Sequence, residues 1–185
     1  PEDFAHTLTR YDGAVAAWVD VPLGHGAESR GQSKSRRAEA AWIAHEAHTL
    51  MSDRPDFSVG VITFYAAQVN EILRQMPPLG MTEQLEDGTY RIHEAWKTTR
   101  DSSGKLTERL RVGTVDAFQG KEFDVVLLSM TRSNDVAADQ PKLLRRKYGH
   151  LMLENRLCVA MSRQQRLLIV VGDTGMLKGE QATKA

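Results

Sequence analysis

"VDAFQGKEFDVVLLS", residues 115–129, sets Gln119, Gly120 and Glu122 between two apolar runs. Together with its flanks it reads as two strands, "LRVGTVDAF" (110–118) and "DVVLLSM" (124–130), joined by a polar elbow. Gly120 permits a backbone shape or a close approach that a side chain would block. A strand that ends in a tight polar turn displays backbone NH groups and side chains at the edge of an α/β sheet, where ligands bind. The same residues would serve equally in a purely structural turn.

Outward from the elbow, strand and helix patterns alternate. "AVAAWVDVP" (14–22) reads as a strand bounded by Gly13 and Pro22. After a Gly- and Ser-rich loop, Ala40, Ile43, Ala47, Leu50 and Met51 recur at helical spacing. "SVGVITF" (58–64) is a strand, and "YAAQVNEILRQM" sets Val69, Ile72, Leu73 and Met76 on one helical face. Strand and helix meet without a spacer, as in a parallel sheet with crossover helices. Residues 77–109 carry Pro-Pro, Asp-Gly and Ser-Ser-Gly turn signals and form a polar insertion, with "TYRIHEAW" as a candidate strand. Beyond Arg132, the basic stretch "KLLRRKYGH" reads as a flexible solvated loop or a cationic contact. A helix around "LMLENRLCVAMS" and a strand "LLIVVGD" complete the pattern, before a small polar tail, "GEQATKA", expected to fray.

The 185 residues suit one domain with a continuous core. Lys plus Arg number 24 and Asp plus Glu number 24, so no global field drives the chain onto phosphate or a membrane, and any nucleic-acid site must be local. Cys158 is alone and cannot form an internal disulfide; in "RLCVAM" it is expected as a buried thiol in a reducing compartment. No stretch approaches the roughly 18 to 20 apolar residues that span a bilayer, and no membrane partner is expected. The predicted localisation is intracellular, cytoplasmic or, in a eukaryote, nuclear. The chain opens on Pro1 rather than methionine, and is read as a piece of a longer protein.

Two further groups of charge matter. In "SKSRRAEA", Arg36 and Arg37 fall near a helix N-terminus, where they oppose the macrodipole by about 0.3 to 1 kcal/mol each. They either clamp an anion there or sit on a solvated face. Arg156 and Arg163 are seven residues apart, two helical turns. Either could bind an anion or pair with a nearby carboxylate such as Glu154.

As a set these segments resemble the C-terminal RecA-like motor domain of superfamily 1 helicases, in particular the up-frameshift type. The family's "SxxNRTEA" is similar to "SKSRRAEA", its "IGIITPYxxQ" to "VGVITFYAAQ", its "VDAFQGxExDxxILSxVRxN" to "VDAFQGKEFDVVLLSMTRSN", and its "RLNVALTRA" to "RLCVAMSRQ". The match runs from about residue 14 to 173. It implies an α/β fold, a RecA-like parallel sheet with helices on both faces and a polar insertion between the second and third main strands. It further implies that ATP lies between two such domains, with Arg37 and Arg163 as catalytic arginines that neutralise the transferring phosphoryl group. Glu39, Tyr65, Gln119, Gly120 and Glu122 would form this domain's ATP-binding share, with Tyr65 stacking on adenine, stacking on a nucleic-acid base, or serving as a plain core residue. Thr63, Thr114 and Arg132 would grip a single strand of DNA or RNA through sugar and phosphate. The chain departs from the family at Arg36, Ala38, Phe64 and Gln164, which stand for its asparagine, threonine, proline and final alanine.

No GxxxxGK[ST] occurs, and no acidic pair follows a strand. The chain alone is therefore expected to bind ATP poorly and not to hydrolyse it. The phosphate-cradling loop and the ligands of Mg2+ would lie in an upstream RecA-like domain, the partner that completes the ATP site. The alternative from another class is a non-catalytic helicase-like module that docks protein or nucleic acid.

Overall fold

Side chains along a strand point alternately to its two faces, and the apolar runs of this chain bury both. The computed structural model describes residues 4–100 and 103–178, so that the tail 179–185 and Ser102 of the Ser-Ser-Gly signal lie outside the described residues. In chain order come β1 (Ala16–Asp20), α1 (Arg37–Asp53), β2 (Val59–Thr63), α2 (Ala66–Gln75), β3 (Thr82–Gln84), β4 (Tyr90–Ile92), α3 (Glu94–Lys97), β5 (Thr98–Arg100) and β6 (Leu106–Glu108). Then follow β7 (Leu110–Thr114), β8 (Phe123–Ser129), α4 (Pro141–Tyr148), α5 (Glu154–Ala160) and β9 (Gln164–Gly172).

Five strands form one sheet in the order β1-β9-β8-β2-β7, with every neighbouring pair parallel. Val59, Val61, Val125, Leu127 and Ile169 pack beneath α1 and α2 against Ile43, Ala47 and Ile72. Ile62, Val126, Leu128 and Leu168 turn to the opposite face, where Phe118, Leu157 and Ala160 cover them. Each such side chain contributes about 1.5–3 kcal/mol on burial. The expected α/β sheet with both faces covered is present, and its near-continuous apolar strands follow from that double burial.

The polar elbow is the crossover from β7 to β8. It spans residues 115–122, shorter than the dozen or so residues that parallel connections usually need. The economy comes from a 3-10 turn, Val115–Phe118, that folds back over β2 with Val115 and Phe118 buried. The strand expected through residue 118 therefore stops at Thr114. Gly60 of β2 makes the passage possible: a Cβ there would stand 2.9 Å from ring atoms of both Phe118 and Phe123.

Four expectations are corrected. The "TYRIHEAW" segment is a strand only to Ile92, because His93 N–H bonds to Met81 O and the chain then enters the short α3. The "KLLRRKYGH" stretch is not a loop, for α4 occupies it and buries Tyr148. The helix expected over 151–162 is a 3-10 turn, Gly149–Met152, followed by α5. Cys158 is exposed, because Leu157, Val159 and Ala160 take the inward positions of α5. Among the described residues no helix is long and apolar enough to cross a membrane.

Candidate nucleotide and nucleic-acid rims

In a parallel sheet all strands begin at one edge and finish at the other. At the starting edge Phe123 N–H bonds to Arg163 O at 3.0 Å, which sets Glu122 and Arg163 at the heads of neighbouring strands. Glu122 is exposed and accepts from Gln165 Nε2 at 3.4 Å. Arg163 is half-buried; its guanidinium donates to Val159 O at 3.1 Å and to Ser162 Oγ at 3.0 Å, and makes no ion pair among the described residues. A cation held by neutral acceptors keeps its charge available to an arriving anion. Gln119 and Gly120 are exposed on the same crossover. Gly120 has φ +69° with open space where a Cβ would stand, so the turn's shape rather than a close approach calls for glycine. Beside Glu122 opens a cavity of about 840 Å3 whose wall includes Lys121, Arg166, Arg54 and, from the insertion, Arg100 and Lys105.

The finishing edge is built on a buried polar network. Arg36 donates to Val21 O (2.6 Å), Pro22 O (2.7 Å), Gly26 O (2.8 Å) and Glu39 Oε1 (3.1 Å). The other Glu39 oxygen accepts from Ser129 Oγ and Thr131 N–H, both at 2.8 Å. Gln68 closes the ring, accepting from Arg36 N–H at 2.6 Å and donating to Ser129 Oγ at 3.0 Å. Burial pushes the Glu39 carboxyl up, while the bonds from Thr131, Ser129 and Arg36 pull it back. Thr131 adopts φ 65°, a costly conformation for a β-branched residue, about 1–3 kcal/mol. Its Oγ1 meets Thr63 Oγ1 at 3.0 Å.

Several expected site residues are therefore placed differently. Glu39 is fully buried with interior partners on both oxygens, and cannot reach a nucleotide. Thr63 is likewise fully buried beneath Thr131. Arg132, 4% exposed, donates to Lys147 O at 2.6 and 2.9 Å and to Arg146 O, and pairs with Glu28 at 3.1 Å, so it pins α4 rather than a strand. Tyr65, also 4% exposed, accepts from His150 N–H at 3.1 Å and meets the His150 ring edge-on at 4.9 Å, the position of the plain core residue among its three readings. Burial, with Arg156 and Arg132 nearby, holds the His150 imidazole below the usual histidine range. Thr114 remains half-exposed where β7 ends.

Arg37 is exposed at the start of α1, beside Arg36 and so at the finishing edge. The fold does not bring it to Arg163. Val21 N–H bonds to Gly172 O, which puts Arg36 and Arg37 level with the end of β9, while Arg163 precedes its beginning. Nine residues at about 3.3 Å each separate the two by roughly 30 Å. Nor do Arg156 and Arg163 project together: α5 ends at Ala160, and Arg156 is paired with Asp116 at 2.9 Å. Sequence reading missed Arg36, Gln68, Ser129 and Thr131 as one network. The available signal was Glu39 three residues after Arg36 on one helical side; its contact with Ser129 crosses 90 positions and leaves no local trace.

Comparison with known proteins accords with this architecture. Residues 5–175 match a family model described as "AAA domain". The chain is 33% identical over 147 residues to the DNA polymerase alpha-associated DNA helicase A of Saccharomyces cerevisiae, covering 79% of this chain and 16% of that protein. It is 28% identical over 148 residues to the Regulator of nonsense transcripts 1 of Caenorhabditis elegans, covering 80% of this chain and 11% of the relative. The chain thus spans less than a fifth of either protein's length. Among solved structures, the C-terminal domain of a possible DNA helicase from Lactobacillus plantarum WCFS1 matches with a TM-score of 0.50 and 15% identity, covering 90% of this chain and 78% of that one. At that identity the likeness bears on the fold alone.

Proposed function

Since the chain belongs to the AAA-domain family, among the up-frameshift-type helicases of superfamily 1, we propose that it is the second motor domain of an ATP-dependent helicase or translocase. In this reading a triphosphate is cradled by an upstream lobe of the same protein and meets the starting edge of this sheet. The carrying observation is that Arg163, which has no carboxylate partner among the described residues, and exposed Glu122 stand immediately before two neighbouring strands, joined by the Phe123 N–H to Arg163 O bond. A guanidinium, a carboxylate and the amide of Gln119 suit a phosphate edge and a ribose hydroxyl; they do not make an oxygen cage for Mg2+, whose ligands the upstream lobe would supply. ATP with Mg2+ would supply the driving hydrolysis. Arg163 would neutralise charge developing on the transferring phosphoryl group, and Glu122, with Gly120 shaping its turn, would fix the ribose. The single strand, DNA or RNA, would run along the finishing edge past Thr114 and Arg37. Closure and release of the two lobes would then alternate the grip on it.

The test joins this domain to its phosphate-loop partner and measures ATPase with and without a single strand. Arg163→Ala is expected to reduce stimulated turnover about 10²–10³-fold, the usual loss when one transition-state donor is removed, with strand binding retained. Undiminished turnover in a folded variant would remove the domain from the nucleotide site.

A further inference from the structure

The family motifs leave α4 unused, yet its surface is strongly organised. Lys142, Arg145 and Arg146 stand at i, i+3 and i+4, all exposed, so they form one cationic face. Leu143 and Leu144 are half-buried, and Tyr148 is buried beneath the helix. Two carboxylates close to this edge are already engaged, Glu28 by Arg132 and Lys34, and Asp116 by Arg156. None of the three face residues forms an ion pair among the described residues.

The face is also rigidly aimed. Arg132, itself buried, donates to the carbonyls of Arg146 and Lys147 and so caps the C-terminal turn of α4. Asn134 Nδ2 adds a bond to Lys147 O at 3.0 Å. Tyr65, directly after β2, receives the His150 N–H that follows the helix. These bonds fasten α4 over the finishing edge at the ends of β2 and β8. Arg145 further borders a cavity of about 280 Å3, walled by Gln32, Tyr65, Arg132, His150 and Leu153.

We propose that the Lys142–Arg145–Arg146 face and the adjoining cavity are an additional clamp on the sugar–phosphate backbone of the single strand. Lys142 and Arg146 lie about 6 Å apart along the helix axis, the scale of successive phosphates on one strand, and three cations that form no ion pair among the described residues can each displace a condensed counterion. Because α4 contributes backbone contacts only, the clamp raises affinity without reading sequence. It rests on the reading of this edge as the nucleic-acid track.

The experiment measures binding of a fluorescein-labelled single strand to the full chain by anisotropy over a salt series. Glutamine at all three positions (Lys142→Gln, Arg145→Gln, Arg146→Gln) should lower the slope of log affinity against log salt by about 2, from three phosphate contacts at about 0.7 each. The charge-preserving set Lys142→Arg, Arg145→Lys, Arg146→Lys should keep the original slope. Far-UV dichroism and thermal melts establish that both variants are folded; an unfolded glutamine set is replaced by the three single substitutions, each expected to lower the slope by about 0.7. An unchanged slope in folded variants beside a wild type that binds overturns the clamp and leaves the helicase assignment standing. A wild-type chain that shows no salt-dependent binding overturns both the track and the clamp.

Discussion

Arg36 donates from all three guanidinium nitrogens, and every acceptor lies within the fold. A buried cation of this kind ties the loop after β1 to the start of α1, and Glu39 then ties α1 to the end of β8. Removing one member of a buried pair leaves the other charge uncompensated, at a cost of about 3–5 kcal/mol. Arg36→Met should lower stability by that amount in denaturant unfolding, and adding Glu39→Gln should recover part of it, because the amide still accepts from Thr131 while carrying no charge. A double variant no more stable than Arg36→Met would show that the stranded carboxylate is not the source of the loss. Charge pattern placed Arg36 and Arg37 side by side, and only the family resemblance singled out Arg37. Only the fold turns one into the core and leaves the other in solvent.

Among elements, the insertion divides into unequal halves. Its first half belongs to the core: Met81 is fully buried, Ile92 and Trp96 pack against the cluster beneath α1 and α2, and Thr82 Oγ1 bonds to Leu73 O at 2.9 Å. The β5–β6 hairpin is peripheral, with Leu106 59% exposed. Replacing residues 99–107 by a short turn should therefore leave the melting temperature within a few degrees of the parent, since loop closure depends weakly on length. Extending the cut to residue 80 removes Met81 together with Ile92 and Trp96 and should cost more than about 2–5 kcal/mol, the range for one emptied core methionine. Equal melting of the two deletions would show that the first half carries no core. Turn signals marked residues 77–109 as irregular, but Met81 is buried in a cluster that gathers residues from α1, α2 and four strands of the sheet, which no local pattern encodes.

For the whole molecule, the length of the sheet assigns its two edges to separate tasks. Arg163 and Glu122 stand where strands begin, and Arg37, Thr114 and α4 where they finish, roughly 30 Å away by the length of β9. Substitutions that far apart should act independently. In the joined two-lobe protein, Arg37→Ala should weaken single-strand binding several-fold while strand-saturated ATP turnover stays near wild type. A collapse of turnover at saturating strand would return Arg37 to the phosphoryl group. The sequence by itself determined the alternating strands and helices, the parallel sheet and the family, because each rests on local apolar periodicity and on contiguous motifs. Which motif residues face a ligand was decided by tertiary structure. A side chain's exposure depends on strands that pair across scores of residues, and the path of the sheet carried Arg37 away from Arg163 and drew Glu39, Thr63 and Arg132 inside.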